Sequence, residues 1–171
     1  VEPNVFGDDR GYFFESFNKD HFIRAGIDAH FIQDNESLSG KGVVRGLHFQ
    51  SPPMAQGKLV RVQKGSVLDI AVDIRNGSPT YGEHYSIVLS GTNKIMLWIP
   101  AGFAHGFATL EDETVFLYKC TSTYSPEHEG NILWNDPDLG IDWGMSNPNL
   151  SEKDQTGPQL KDFNSPFTYE K

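Results

Sequence analysis

The stretch Ser66–Arg75 reads SVLDIAVDIR and alternates strictly between two sets of side chains. Successive side chains of a β-strand point to opposite faces, so this period of two predicts a strand. One face would carry Leu68, Ile70, Val72 and Ile74. The other face would carry Val67, Asp69, Ala71, Asp73 and Arg75. The pattern therefore predicts a strand with one wholly apolar face and one partly charged face.

Further β-rich runs of similar length follow, separated by turn residues. These runs are Glu83–Leu89, Ile95–Ile99 and Thr114–Thr121. The turns between strands are expected at Lys64-Gly65, Asn76–Pro79, Ser90-Gly91, Pro100–Gly102 and Glu111-Asp112. Short strands at this spacing favour an all-β antiparallel sandwich or barrel, and a jelly-roll barrel fits best.

Helical signals are few. Asn18–Gly26 begins with a residue favoured at N-caps and ends with a glycine, which predicts one short helix. A second short turn is expected to begin at Ser151. From about Ser125 the chain is rich in Pro, Asn and Asp, so we expect this last third to wrap irregularly around the barrel.

Length and composition narrow the class of protein. The 171 residues, with 37% hydrophobic side chains, predict a single globular domain spanning 1–171. The net charge of −9 argues against nucleic-acid binding. No apolar run approaches the length of a membrane span, so we expect no membrane association. The single cysteine, Cys120, predicts a small buried residue and a reducing compartment, the cytoplasm.

Residues 43–63, VVRGLHFQSPPMAQGKLVRVQ, place basic residues in two predicted strands. Strict alternation puts His48 on one face and Arg45 on the other. Gly46 lies between them, and a glycine within a strand often marks a bulge. A bulge there would let Arg45 and His48 face the same cavity, with Lys58 at the start of the next strand.

Each of these residues also has a purely structural explanation. His48 could be a hydrogen-bonded core histidine, and Lys58 could extend from a strand end to solvent. Tyr118 could be an aromatic strand residue with a satisfied hydroxyl. Ser151 and Asp154 match a helix-capping pattern. Periodicity alone predicts no more than a β-barrel with a polar lumen.

A metal site is the first functional option. PAGFAH, residues 100–105, resembles the second half of the cupin signature, in which the histidine is a metal ligand. The first half normally supplies H-x-H and a nearby glutamate, whereas this chain has His48-Phe49-Gln50 and Lys58. Because a cation beside a divalent metal is unfavourable, we expect a metal-free site built for an anion.

Ordered sequence blocks along nearly the whole chain, from about Val5 to Asp154, carry a more specific resemblance. They are DDRGYFFESF, FIQDNES, RGLHFQ, AQGKLVRV, DIAVDIR, SPTYG, PAGFAHGF, YKCTSTYSP, WNDPDLGIDW and SEKD. Together they resemble the dTDP-4-dehydrorhamnose 3,5-epimerase family. The resemblance implies a jelly-roll cupin that works as a homodimer without metal or organic cofactor. One departure is Gly57, which stands where the family is expected to have alanine.

The resemblance also implies an activity and a set of site residues. The substrate would be dTDP-4-dehydro-6-deoxy-D-glucose and the product dTDP-4-dehydro-6-deoxy-L-mannose, on the route to rhamnose. His48 would be the general base with Asp154 as its partner, Tyr118 the acid, and Lys58 the contact of the 4-keto oxygen. Residues that would hold the sugar or the diphosphate are Gln33, Asn35, Arg45, His105, Tyr124 and Lys153. Arg10 and Glu15 would reach into the neighbouring subunit's nucleotide site.

The chemistry explains these residue types independently. Protons on C3 and C5 are acidic because both carbons flank the C4 ketone, and removal of either leaves an enolate. A fixed cation favours the enolate oxygen, and each such donor can be worth roughly 2.7–4 kcal/mol. Histidine titrates at about 6.5 and tyrosine at about 10, which suits a base and an acid at neutral pH.

Three rival functions remain open from the sequence. A related enzyme could invert only C3 or only C5, or act as a 3,4-ketoisomerase. A metal-dependent cupin oxygenase is disfavoured by His48-Phe49-Gln50. A non-catalytic nucleotide-sugar-binding module would not need His48, Asp154 and Tyr118 together.

Overall fold

The computed structural model describes residues 1–170, and its regular secondary structure is almost entirely β-strand. The first strands are β1 (Phe6–Asp8), β2 (Gly11–Phe13), β3 (Gln33–Ser39), β4 (Val44–Gln50) and β5 (Lys58–Lys64). The others are β6 (Ser66–Asp73), β7 (His84–Ser90), β8 (Met96–Ile99), β9 (Phe103–Thr109), β10 (Thr114–Cys120) and β11 (Glu129–Asn131). The α-helix α1 covers Lys19–Arg24, and two short 3₁₀ turns cover Pro126–His128 and Leu160–Asp162.

Two antiparallel sheets form the body of the fold. One has the order β3-β10-β5-β8 and the other has the order β11-β4-β9-β6-β7, while β1 and β2 form a separate hairpin. Every named strand pair is antiparallel. The predicted all-β jelly-roll class is confirmed: residues 1–170 form two facing antiparallel sheets.

Both faces of the strand β6 are buried, so its alternating pattern has no solvent-exposed side. Ile70 and Val72 pack into an apolar core on the outer side of the five-stranded sheet. Val67 and Ala71 pack into a second core between the two sheets, and Asp69 is fully buried among them. The partly charged face therefore lines the interior of the sandwich, where the functional residues lie.

The last third of the chain covers the outer face of the five-stranded sheet. Ile132, Leu139, Trp143 and Phe167 are buried in the same core as Ile70. This arrangement confirms that the segment wraps around the sheets with little regular structure. Each Å² of apolar surface that is buried stabilises the fold by about 25 cal/mol. This explains why a segment with few backbone hydrogen bonds to the strands stays in place.

The helix α1 is shorter than the sequence predicted. Asn18 caps it, since its side-chain oxygen accepts a hydrogen bond from the His21 N–H at 3.3 Å. Gly26 follows with φ of 83°, a conformation that favours glycine. Phe22 packs with Leu59 and Met96 on the outer face of the four-stranded sheet. The predicted turn after Ser151 is present as turns over 152–155, not as a helix.

None of the helices formed by residues 1–170 combines the length and the apolar character that crossing a bilayer requires.

Candidate active site

A bulge in β4 brings Arg45 and His48 to one cavity. Arg45 pairs with Phe107 and His48 pairs with His105, so three residue steps on β4 face two on β9. Gly46 lies inside this bulge with φ of 141°, and a Cβ there would lie 2.5 Å from Gly106 Cα. Only glycine fits such a close approach of two backbones. The predicted bulge at Gly46 and its effect on Arg45 and His48 are confirmed.

His48 and Asp154 lie in contact although 106 positions separate them. His48 Nε2 is 2.5 Å from Asp154 Oδ1, and Gly46 donates its N–H to the same oxygen at 3.4 Å. Burial alone would raise the pKa of Asp154, but hydrogen bonds from His48 and Ser151 hold it below its usual value. The carboxylate is therefore ionised at neutral pH and can orient the imidazole and stabilise its protonated form.

Lys58 and Tyr118 come from the facing, four-stranded sheet. Lys58 begins β5, Tyr118 lies in β10, and both line the same cavities as His48. Burial lowers the pKa of Lys58 below that of an ordinary lysine, and nearby Cys120 and Asp69 oppose that effect. Burial raises the pKa of Tyr118, so its hydroxyl keeps its proton at neutral pH.

Two cavities adjoin at His48, Lys58 and Tyr118, which line both. We call the first the Arg45 chamber; its volume is about 180 Å³ and its other lining residues are Ser37, Arg45, His105, Phe107 and Phe116. We call the second the Tyr124 chamber; its volume is about 240 Å³ and it is also lined by Gln33, Asn35, Phe49, Gln50, Gln56, Cys120, Tyr124 and Glu129. The shared wall thus carries three groups able to move or stabilise charge.

His105 forms a second histidine–aspartate pair in the wall of the Arg45 chamber. Its Nε2 lies 3.1 Å from both carboxylate oxygens of Asp69. Burial lowers the pKa of His105 and raises that of Asp69, which favours the uncharged forms of the pair. The sequence placed Asp69 on the charged face of β6 but gave it no role. Its signal was a carboxylate in the middle of an otherwise apolar strand.

Side-chain amides line the Tyr124 chamber in a connected row. Gln33 Nε2 donates to Asn35 Oδ1 at 3.1 Å, and Asn35 Nδ2 donates to Cys120 Sγ at 3.6 Å. The Tyr124 N–H donates to Gln33 Oε1 at 2.9 Å. The structure thus brings Gln33, Asn35 and Tyr124 together. Cys120 is buried, as the sequence suggested, and also lines the chamber.

Glu129 is a lining residue that sequence reasoning missed. It pairs with Lys153 Nζ and accepts a hydrogen bond from Tyr124 Oη at 2.9 Å. Burial would raise its pKa, but the contacts with Lys153 and Tyr124 lower it below the usual value. The residue lies in the irregular last third, where no periodicity marks a site; its pairing opposite Gln50 brings it near His48.

Gly57, where the family was expected to have alanine, lies just before Lys58 and against Trp98. A Cβ at Gly57 would lie 2.5 Å from Trp98 Cη2. Its N–H donates to Thr121 Oγ1 at 2.8 Å, which fixes the backbone at the start of β5. The indole of Trp98 thus accounts for glycine at this position.

Arg10 and Glu15 do not join the other site residues within this chain. Arg10 lies between β1 and β2 with its side chain 89% exposed and pairs with Asp8. Glu15 accepts a hydrogen bond from Asn18 Nδ2 at 3.0 Å and is also exposed. Neither lines the Arg45 chamber or the Tyr124 chamber.

No group of three His, Cys, Asp or Glu side chains within residues 1–170 is arranged to hold a metal ion. His48 and His105 instead each face one carboxylate, and the cation Lys58 lines the same cavities.

Known proteins resemble this chain along nearly its whole length. The family model described as dTDP-4-dehydrorhamnose 3,5-epimerase matches residues 1–162. The dTDP-4-dehydrorhamnose 3,5-epimerase of Salmonella typhimurium is 56% identical over 162 residues, which cover 94% of this chain and 88% of that protein.

Solved structures show the same fold. The dTDP-6-deoxy-D-glucose-3,5-epimerase of Legionella pneumophila, crystallised with dTDP-4-keto-L-rhamnose, has a TM-score of 0.95 and 48% identity, covering 99% of this chain and 92% of that one. The dTDP-4-dehydrorhamnose 3,5-epimerase of Bacillus anthracis, with TDP and PPi bound, has a TM-score of 0.91 and 46% identity, covering 92% and 91%. This chain therefore belongs to the dTDP-4-dehydrorhamnose 3,5-epimerase family.

Proposed function

We propose that the protein converts dTDP-4-dehydro-6-deoxy-D-glucose to dTDP-4-dehydro-6-deoxy-L-mannose by inverting C3 and C5 through enolate intermediates. The observation that carries this proposal is the wall shared by the two chambers. His48, held by Asp154, belongs to one sheet, while Tyr118 and Lys58 belong to the facing sheet. A base and an acid on facing sheets suit a reaction that removes a proton from one side and returns it to the other.

The first step breaks a C–H bond beside the C4 ketone. Asp154 accepts the Nε2 proton of His48, which leaves Nδ1 as the basic nitrogen. His48 takes the proton, the electron pair of the C–H bond forms a carbon–carbon double bond to C4, and the π electrons of the ketone move to the C4 oxygen, which becomes negative. The partly exposed His48 ring, with its side chain 26% accessible, can later return its proton to solvent.

Lys58 stabilises the enolate oxygen in this scheme. Within residues 1–170 its ammonium forms no ion pair or direct hydrogen bond with another side chain, so its donors remain available to a ligand in the cavities. A cation in a partly dry site stabilises developing charge far better than water does. Burial, which lowers the pKa of Lys58, is the cost of this arrangement.

Tyr118 supplies the proton on the opposite face. Burial raises its pKa, so the hydroxyl is protonated when the enolate forms. The new C–H bond takes the tyrosine proton, the enolate electrons return to the carbon, and the tyrosinate recovers a proton from solvent. The cycle exchanges protons only with solvent, and it needs neither metal nor organic cofactor.

Recognition of the nucleotide sugar falls to residues around the two chambers. Arg45 offers several fixed donors at the edge of the Arg45 chamber, which suits a diphosphate. The amides of Gln33 and Asn35 and the ring of Tyr124 line the other chamber, where they could hold the sugar or stack on a base. His105 and Lys153 complete the set of polar contacts.

We further propose a homodimer in which the β1–β2 hairpin completes the partner's site. Phe6, Tyr12 and Phe13 of this hairpin are 64%, 59% and 65% exposed, which is unusual for large apolar side chains. Arg10, at the hairpin turn, is free of both chambers of its own chain. A second copy would cover the aromatic rings and receive Arg10 and Glu15 near its nucleotide.

Hybrid dimers test this assembly. Arg10→Ala and His48→Ala proteins would each be inactive alone, yet one site of a mixed dimer would contain both native residues. Random exchange should therefore restore about a quarter of wild-type activity for a symmetric dimer. Proven subunit exchange without recovery would contradict the shared site.

Proton exchange in heavy water tests the reaction itself. Deuterium entry at C3 and C5, followed by NMR, should occur at both carbons together with inversion. Entry at one carbon alone would instead identify a 3- or 5-monoepimerase, and absence of any exchange with intact nucleotide-sugar binding would identify a binding module.

A further inference from the structure

The carboxylate of Asp154 has a different partner on each oxygen. Oδ1 faces His48 Nε2 at 2.5 Å. Oδ2 accepts a hydrogen bond from Ser151 Oγ at 2.7 Å. The base and the serine hydroxyl are therefore linked through one buried carboxylate, whose residue is 3% exposed.

The hydroxyl of Ser151 has little freedom to point elsewhere. Asp154 donates its own N–H to Ser151 Oγ at 3.3 Å, which occupies the serine oxygen as an acceptor. The hydroxyl proton is then directed to Asp154 Oδ2, and the two hydrogen bonds close a ring between residues 151 and 154. Such local side-chain-to-backbone rings hold a side chain in one rotamer. Ser151 itself is exposed, so it also covers the carboxylate from solvent.

We propose that Ser151 is a positioning residue of the reaction: its hydroxyl fixes the Asp154 carboxylate, and through it the orientation and basicity of His48. This inference rests on the proposed role of His48 as the base. Ser151 does not line either chamber, so it acts through Asp154 and not on the substrate.

The direction of the effect follows from charge sharing. A hydroxyl that donates to a carboxylate draws part of its negative charge away from the other oxygen. Without that donor, more charge faces His48, the imidazolium is stabilised, and the ring becomes protonated at a higher pH. At the same time the carboxylate gains rotational freedom, so the imidazole is less often aligned for proton transfer.

Other charged and titratable groups around His48 stay in place when only Ser151 changes. They are Arg45 on β4, Lys58 on β5, Tyr118 and Cys120 on β10, His105 on β9 with Asp69 on β6, Tyr124 after β10, and Glu129 on β11 with its partner Lys153. A change in the titration of His48 between Ser151 variants therefore reports the loss of the hydroxyl.

Three variants test the proposal. Ser151→Ala removes the hydroxyl, and Ser151→Thr keeps it. Thr156→Ala is the matched control, because the Thr156 hydroxyl donates to Lys153 O at 3.2 Å next to the same turns and forms no hydrogen bond with Asp154. For each protein, kcat and the pH profile of kcat/KM are measured with the nucleotide-sugar substrate. The titration midpoint of the His48 ring is measured separately by NMR on the free enzyme.

Ser151→Ala should lower kcat about tenfold and move both the acid limb of kcat/KM and the NMR midpoint upward by about half a pH unit. Ser151→Thr should recover most of the rate and the native midpoint, and Thr156→Ala should match wild type. An unchanged NMR midpoint in Ser151→Ala, or a Ser151→Thr protein as impaired as Ser151→Ala, would overturn the proposal. Because the NMR midpoint needs no turnover, it separates this failure from a failure of the proposed reaction, which His48→Ala with normal exchange would reveal.

Discussion

The two histidine–aspartate pairs of this cavity are built from the same residue types and differ in almost every other respect. His48 and Asp154 meet across 106 positions, one on β4 and the other on a turn of the irregular last third. His105 and Asp69 lie on the hydrogen-bonded neighbours β9 and β6, and their side chains are 7% and 0% exposed. The His48 side chain is 26% exposed.

This difference in burial gives each pair a different chemistry. Burial pushes the pKa of His105 down and that of Asp69 up, so the interior pair resists the appearance of charge. Asp154 keeps a lowered pKa and stays ionised beside a ring that solvent can reach. A base must gain and lose a proton in each turnover, which the partly exposed His48 ring allows. The interior pair is better suited to hold a fixed hydrogen-bonding pattern towards the substrate.

Removing the histidine of each pair should give the largest difference between the two pairs. His48→Ala should lower deuterium exchange at both carbons by about 10³–10⁴-fold, because no other group is placed to take the proton. His105→Ala should keep exchange and lower kcat/KM by about 10- to 100-fold through a lost substrate contact. Heavy-water NMR on both variants, with circular dichroism and dTDP titration as controls, measures this. Equal losses in exchange would erase the distinction between the pairs.

The same substitution at each aspartate should affect the two pairs differently. Asp154→Asn should cost about 10²–10⁴-fold in kcat with little change in stability, because the amide favours the wrong tautomer of His48. Asp69→Asn should cost about 1–3 kcal/mol in the free energy of unfolding, since it disturbs a buried hydrogen-bonded pair, and should cost less in kcat. Steady-state kinetics and urea denaturation of both proteins give the two numbers. A larger kcat loss in Asp69→Asn would reverse the assignment.

The sequence predicted these two regions unequally, for physical reasons. Gly46 revealed the bulge because a glycine inside a strand commonly marks a bulge or a close approach of two backbones. Alternation cannot distinguish an interior polar face from a solvent-facing one, so the Asp69 pair went unseen. The link from His48 to Asp154 came only from the family resemblance, because no local rule connects positions 106 apart.

The contacts of the irregular last third could not be predicted either, because no local rule connects its residues to distant strands. Glu129 and Lys153 carry no period that places them on a face, and their contact depends on how β11 and the 152–155 turns fold against β4. The arm residues Arg10 and Glu15 stay a prediction, since their expected partner is a second chain.

Tyr118→Phe isolates the group that faces His48 from the other sheet. The variant keeps the ring that packs near Phe116, with centroids 6.0 Å apart, and loses only the hydroxyl. His48 should still form the enolate, which can then be reprotonated only from its own side. Deuterium should therefore enter while configuration is mostly retained, a decoupling that wild type should not show.

Two other results of this NMR experiment would contradict the assignment. Inversion at the normal rate would mean that Tyr118 is not the acid and would direct attention to Tyr124. Loss of exchange would mean that Tyr118 acts before or during enolate formation, so that the two faces do not work separately.

Lys58 lines the Arg45 chamber together with both histidines, and its titration should give the smallest of these effects. Burial lowers its pKa below the ordinary 10.5, although Cys120, Asp69 and Glu129 draw it back upward. The ammonium is present below that pKa and is lost as the pH rises through it, so kcat should fall on the alkaline side earlier than an ordinary lysine would allow. Tyr118 does not explain such a limb, because its pKa is raised and its proton persists to higher pH.

Lys58→Arg separates this cation from every other group in the cavity. A guanidinium keeps its charge throughout the accessible range, so the alkaline limb of kcat should move to higher pH even though the altered shape lowers the rate. The pH profiles of kcat for wild type and Lys58→Arg measure the shift. The control is that both proteins stay folded over the whole pH range. An alkaline limb that stays in place would mean that the titrating group is not Lys58. Lys58 would then have no demonstrated part in stabilising the enolate oxygen, and its position in the wall of both chambers would be its only link to the reaction.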